Sequence, residues 1–432
     1  MHRFSSRTTV WRSVSFVLPA RTSGDCRCWP PSLRRRWLRW SHRPLSRWKR
    51  GDRCSQHARR LACTLAPSSP ASPSARRRIL FMGTPEVARD ALEQLVRSLD
   101  EPDATAAAPF YVAAVVTQPP APSGRRRSAA LQPSPVHQYA EEVLRVPVYT
   151  PGSVRHDEAF LRDIAHQLAP DLVVTAAYGQ WLPTRFLHIA PLGTLNIHPS
   201  LLPRYRGAAP VQRALLDGVR ETGVSIVRSV REMDAGPIVL QERVPVDEEV
   251  QAPQLLQQLF LLGARLLAQS ILRRAGMERV DNIAEMDALL GTVREQQHAH
   301  ATHAPKLGKA DARLTFCETA TRVHNRVRAL AGWPGTWVDV QVLPSAGDRL
   351  KEPTVLRLKV ICTRVVRAEA GAALGVHEVH FCQETQALRF TCDDGSQLDV
   401  LQVQLPGKRV MQAREFWNGL RGRALQRLRV PY

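Results

Sequence analysis

Between Arg78 and Leu272, short apolar runs alternate with stretches of helical spacing. Arg78-Ile79-Leu80-Phe81-Met82 reads as a buried strand that stops at Gly83-Thr84-Pro85. Val87, Ala88, Ala91, Leu92 and Leu95 then recur at helical spacing, with Pro85 suited to the first turn. Residues 111–116, 146–149, 171–176 and 193–197 read as further strands, with helices over 136–144 and 158–168 among them. Strands that alternate with helices predict a parallel, doubly wound sheet. Two more strands, 224–230 and 238–244, flank Asp234. Residues 253–272 form a strongly apolar helix that buries Leu255, Leu256, Leu259, Leu262, Leu266 and Leu267.

From Leu314 the texture changes. Short alternating stretches at 337–342, 355–363, 376–381, 387–392 and 398–403 are separated by turn residues, which predicts a small β-barrel of the OB-like kind. Residues 282–310 lose periodicity and read as a linker; His298, His300 and His303 there read as a solvated connector, because no carboxylate or Cys set accompanies them. The expected architecture is an α/β doubly wound, mostly parallel sheet over 78–281, a linker over 282–310 and a barrel over 311–432.

The charge of this 432-residue chain changes the reading of its first 77 residues. They hold 18 Lys and Arg against two acids, Asp25 and Asp52, and are rich in Ser and Trp. That composition predicts a mitochondrial transit peptide and a matrix location, with a basic RNA-binding tail as the alternative. Residues 78–300 are near balance, with 22 basic and 25 acidic side chains, whereas 301–432 hold 20 and 12. A basic barrel fits a phosphate-binding surface. No stretch approaches 18 apolar residues free of charge, so no membrane span is expected. Cys26, Cys28, Cys54 and Cys63 lie in the leader, and Cys317, Cys362, Cys382 and Cys392 are widely spaced, which argues against a metal site or a disulfide framework. No G-x-G-x-x-G follows the first strand, so a dinucleotide grip is not indicated.

The candidate chemistry sits at the end of the strand over 193–197. Side chains two apart on a strand share a face, so Asn196 and His198 can look into one cleft, and Asp234 can fold back to meet them. Ligands of doubly wound sheets bind beyond the carboxyl ends of the strands. An amide N–H can stabilise a developing oxyanion, an imidazole with an ordinary pKa near 6.5 can move protons, and a carboxylate can orient it. Acyl or formyl transfer to an amine needs these groups. Taken alone, the three also fit a strand cap and a turn residue.

The surrounding motifs go further. Asn196-Ile197-His198-Pro199-Ser200-Leu201-Leu202-Pro203, Arg206-Gly207-Ala208-Ala209-Pro210, Thr222-Gly223-Val224-Ser225 and Met233-Asp234-Ala235-Gly236 resemble the formyltransferases that use 10-formyltetrahydrofolate. With Phe81-Met82-Gly83-Thr84-Pro85, Ala304-Pro305-Lys306-Leu307, Trp333-Pro334 and Pro406-Gly407-Lys408-Arg409-Val410-Met411, the chain is most similar to the methionyl-tRNA branch, and with its leader to the mitochondrial form. The resemblance implies that Asn196, His198 and Asp234 are catalytic and that no metal is required. It implies that folate lies beside Ala177, Tyr178, Gly179 and Leu182, with Ser200, Leu201, Leu202 and Pro203 nearby. It further implies that methionyl-tRNA is held by Arg125, Arg126 and Arg127 in the loop 118–131 and by Lys408 and Arg409, and that the protein is a monomer. The chain departs from the family at Pro120-Ala121-Pro122, at Arg127-Ser128 and at Val230, where an extra acid is usual. A formyltransferase acting on a small amine, a formyltetrahydrofolate hydrolase and an inactive RNA-binding module remain as rivals.

Overall fold

The structure, a computed structural model, describes residues 76–101, 110–122, 130–278, 280–344, 352–367, 375 and 377–428. Residues 1–75 of the predicted transit peptide, with its four cysteines, and Arg125, Arg126 and Arg127 lie outside the described residues, and β1 takes in Arg77, the last residue of that predicted segment.

Strands β1 (Arg77–Gly83), β2 (Phe110–Val116), β3 (Ala121–Pro122), β4 (Leu131–Gln132), β5 (Val148–Tyr149), β6 (Leu172–Ala176), β7 (Thr194–His198), β8 (Glu221–Arg228) and β9 (Ile238–Pro245) belong to the α/β part. Seven of them form one sheet in the order β5-β2-β1-β6-β7-β8-β9. The pairings from β5 to β7 are parallel, and β7–β8 and β8–β9 are antiparallel. Because β1 and β6 are covered on both faces, Ile79 to Met82 and Leu172 to Val174 are apolar without interruption, as buried parallel strands require, whereas β7 alternates apolar Leu195 and Ile197 with polar Thr194, Asn196 and His198. One face packs on helices Glu86–Asp100 and Ala252–Leu266 through Leu92, Leu95, Ile197, Phe260 and Ala264; the other packs on Phe160, Ile164 and Phe186. The chain runs outward from β1 to β2 and β5, then returns to β6 on the other side of β1. That reversal opens a crevice at the carboxyl ends of β1 and β6, where such sheets bind ligands. β3 and β4 pair Ala121 with Gln132 and Pro122 with Leu131, so the two ends of the basic loop leave side by side.

The helix from Ala252 continues to Met277, 26 residues within which an 18-residue window reaches a mean hydropathy of 1.4, and so meets the length and composition of a membrane span. Leu255, Leu259, Phe260, Leu267, Ile271 and Leu272 are buried in the core, which accounts for its apolarity.

The predicted linker contains a helix, Ile283–Leu290. Asn282 accepts from the Glu285 N–H and donates to its carboxylate, a reciprocal capping pair that apolar periodicity does not reveal. Beyond it, β10 (Thr336–Val342), β11 (Thr354–Val365), β12 (Glu378–Cys382), β13 (Ala387–Thr391), β14 (Gln397–Gln404), β15 (Val410–Gln412) and β16 (Leu425–Arg427) form the second domain. The β11–β14 pairing closes six of these strands into a barrel, with β15 added on β14. The barrel joins the α/β part at the turn after β9. His324 Nε2 donates to Glu248 O (2.9 Å), Arg328 to Asp247 O (3.0 Å) and Gln251 to Ile361 O (2.8 Å).

Candidate active site

A cavity of about 710 Å³ opens at the carboxyl ends of β1, β6 and β7. Its lining includes Val87 after β1, Ala177 to Leu182 after β6, Asn196 and His198 on β7, Asp234, and Leu256 and Phe260 from the long helix. The three candidate catalytic side chains therefore share one cavity. The volume suits an organic ligand held by apolar walls and a few polar groups.

Each polar group is oriented from behind. Thr175 Oγ1 donates to Asn196 Oδ1 at 2.8 Å, so the amide turns its NH2 to the cleft. His198 is 4% exposed. Ser200 Oγ donates its only proton to Arg204 O (2.8 Å) and lies 3.0 Å from His198 Nδ1. It can accept only from an Nδ1–H, which leaves Nε2 of the neutral ring as the proton acceptor. Nε2 has no well-aligned hydrogen-bond partner and stands 3.4 Å from Asp234 Oδ2.

Asp234 occupies the left-handed region, with φ 54°. Its Oδ2 accepts the Gly207 N–H at 2.9 Å. A side chain at Gly207 (φ 124°) would meet Ala304 O at 2.8 Å, so only glycine lets this loop approach closely enough to make that bond. Burial pushes the Asp234 carboxyl up, but His198, the Gly207 N–H and Arg206 outweigh it and hold the carboxyl below its ordinary value.

Of the eight residues expected at the folate, Ala177, Tyr178, Gly179 and Leu182 line the cavity. Tyr178 is 5% exposed and its hydroxyl is buried without a partner. Ser200, Leu201, Leu202 and Pro203 do not line the cavity. Ser200 is fully buried behind His198, and Leu202 packs on Val227 and Ile238 while its N–H donates to Ser225. They shape the loop that carries His198, because the chain must turn back under the strand end. Lys408 and Arg409 are exposed on the turn between β14 and β15. His298 Nδ1 lies 3.3 Å from Arg206, and His303 bridges its backbone.

Sequence reasoning missed Thr175 and Gln296. Thr175 sits inside a strand run, where nothing separates a hydroxyl that orients an amide from one that fills the core. Gln296 lies in the segment read as a linker, yet it is 4% exposed and bonded to the Asp234 turn.

Comparison with known proteins matches residues 77–271 to a family model described as formyl transferase and residues 306–421 to one described as formyl transferase, C-terminal domain. The chain is 38% identical over 341 residues to a methionyl-tRNA formyltransferase of Methylococcus capsulatus, covering 79% of this chain and 96% of that protein. It is 33% identical over 354 residues to one of Kosmotoga olearia, covering 81% and 97%. A solved N-formyltransferase of Helicobacter canadensis, in complex with folinic acid and dTDP-3-aminofucose, shares 16% identity at a TM-score of 0.48, covering 75% of this chain and 98% of that one.

Proposed function

The chain belongs to the methionyl-tRNA formyltransferase family, and from that premise we propose how its residues carry out the reaction. It is an enzyme that transfers a formyl group to the α-amine of methionyl-tRNA. The donor is 10-formyltetrahydrofolate, a co-substrate held against Ala177, Tyr178, Gly179 and Leu182.

As the amine attacks, the formyl oxygen becomes anionic and the amine must lose a proton. Asn196 offers its Nδ2–H to that oxygen because Thr175 occupies the other end of the amide. His198 takes the proton at Nε2, since Nδ1–H is committed to Ser200. Asp234 remains anionic 3.4 Å away and stabilises the imidazolium, which then lies beside the oxyanion as a second donor and can return its proton to the departing nitrogen. The observation that carries this reading is the buried, unpartnered Nε2 facing a carboxylate at the cavity wall.

Arg125, Arg126 and Arg127 of the basic loop, with Lys408 and Arg409 on the barrel, engage the tRNA phosphates, a task suited to the guanidinium fork. We assign the enzyme to the mitochondrial matrix, as a monomer, with residues 1–77 as its import signal; their 18 basic and two acidic residues support this. The formyl-methionyl-tRNA formed there serves translation initiation.

Formylation of methionyl-tRNA, measured for the wild type and for Asn196→Ala, His198→Ala and Asp234→Asn, tests the assignment. Each variant should turn over roughly a hundredfold more slowly or worse. Variants that match the wild type would remove the trio. Donor consumption without tRNA formylation would instead indicate a hydrolase or a small-amine enzyme.

A further inference from the structure

Gln296 lies between the two family-model matches, in neither of them. Its buried amide makes four hydrogen bonds. Nε2 donates to Asp234 O (2.8 Å) and Gly236 O (2.7 Å), and Oε1 accepts from Arg206 Nε (3.0 Å) and Nη2 (2.6 Å). Both donors and both lone pairs are used, so the side chain has one orientation.

The two groups it joins meet at the site, where Gly207 and Asp234 both line the cavity. One is the turn that holds Asp234 in the left-handed region, a conformation that persists only where its surroundings fix it. The other is the Arg206-Gly207 loop, whose Gly207 N–H holds Asp234 Oδ2. The strap around Gln296 ties that loop at further points: Arg206 N–H donates to Thr302 O (2.8 Å), and the N–H of Ala304 to Arg206 O (2.7 Å). Arg294 pairs with Ile238, at the start of β9.

We propose that Gln296 is a positioning residue for formyl transfer: from the interdomain segment it clamps the Asp234 turn to the Arg206-Gly207 loop and so fixes the Asp234 carboxylate against His198 Nε2. The proposal rests on the catalytic reading of Asn196, His198 and Asp234. Gln296 touches neither substrate nor the reacting atoms; it acts through Asp234. The charged groups that act on that carboxylate are His198 and Arg206, and the clamp holds the second of them in place.

The test uses the full chain, with kcat and KM for methionyl-tRNA formylation measured across pH. Gln296→Ala should lower kcat roughly ten- to a hundredfold while KM for the formyl donor stays within about twofold, the effect of a catalytic group displaced by about an ångström. Gln296→Glu keeps the partner of Arg206 but presents a carboxylate to two carbonyl oxygens, and should be impaired as well. In an Asp234→Asn background, Gln296→Ala should change kcat less than twofold, since the two act as one unit. Wild-type kcat in Gln296→Ala, or undiminished activity in Gln296→Glu, would overturn the clamp. An active Asp234→Asn enzyme would overturn the trio beneath it.

Discussion

Thr175 decides which end of the Asn196 amide reaches the cleft, and it does so with one hydroxyl proton. Thr175→Val keeps the shape of the strand and removes that donor. The amide is then free to turn its oxygen toward the developing oxyanion, so kcat should fall by about tenfold, with KM for the formyl donor unchanged. A full-rate valine variant would show that the strand alone orients Asn196. At Asp234 the sign of the pH effect follows from its environment. The folded carboxyl is held below its ordinary value of 3.8, so its stabilisation is complete above that value and is lost as pH falls through the depressed one. Near neutrality the group is an anion throughout.

At the scale of elements, the strand that carries Asn196 and His198 is set by what packs against it. Gly263 lies in the long helix where an added Cβ would come within 2.4 Å of Ile197 Cγ2 and 2.8 Å of Val224 Cγ2. Ile197 is the residue between the two catalytic side chains. Gly263→Leu should therefore destabilise the protein by about 1–3 kcal/mol and lower activity beyond the loss of folded enzyme. Thermal unfolding together with turnover per folded molecule checks it. The strands and the long helix were legible because burial on two faces, or on one helical stripe, leaves a periodic trace in sequence. So was the convergence of Asn196 and His198, which follows from the two-residue repeat of a strand. Ser200 to Pro203 were expected at the ligand but fold behind His198, because a turn after a strand end has no period from which its facing could be read. Helix Ile283–Leu290 was missed although Asn282 and Glu285 have the spacing of a capping pair, because its eight residues leave too short an apolar stripe; Gln296 was missed because a buried amide held by backbone carbonyls leaves no period.

Across the whole molecule, the proposed function gives chemistry, substrate capture and delivery to different stretches of chain. Residues 1–77 fused to a passenger protein should carry it into mitochondria, and the enzyme without them should remain outside; import of the truncated enzyme would refute the assignment. The barrel meets the catalytic part through hydrogen bonds from His324, Arg328 and Gln251, with Arg328 and Gln251 each bonding a carbonyl oxygen across the joint. Those contacts are to backbone and are specified by shape, so they tolerate drift in the surface residues around them. The strap that carries Gln296 sets a stricter rule. It lies beyond residue 271, where the first family match ends, yet it holds the turn that carries Asp234. The unit of inheritance and the unit of function therefore end at different places. An exchange of barrels between relatives that joins the parts near residue 271 would import a foreign clamp along with the new barrel. A junction placed after Pro305 would keep the clamp intact and transfer the barrel alone.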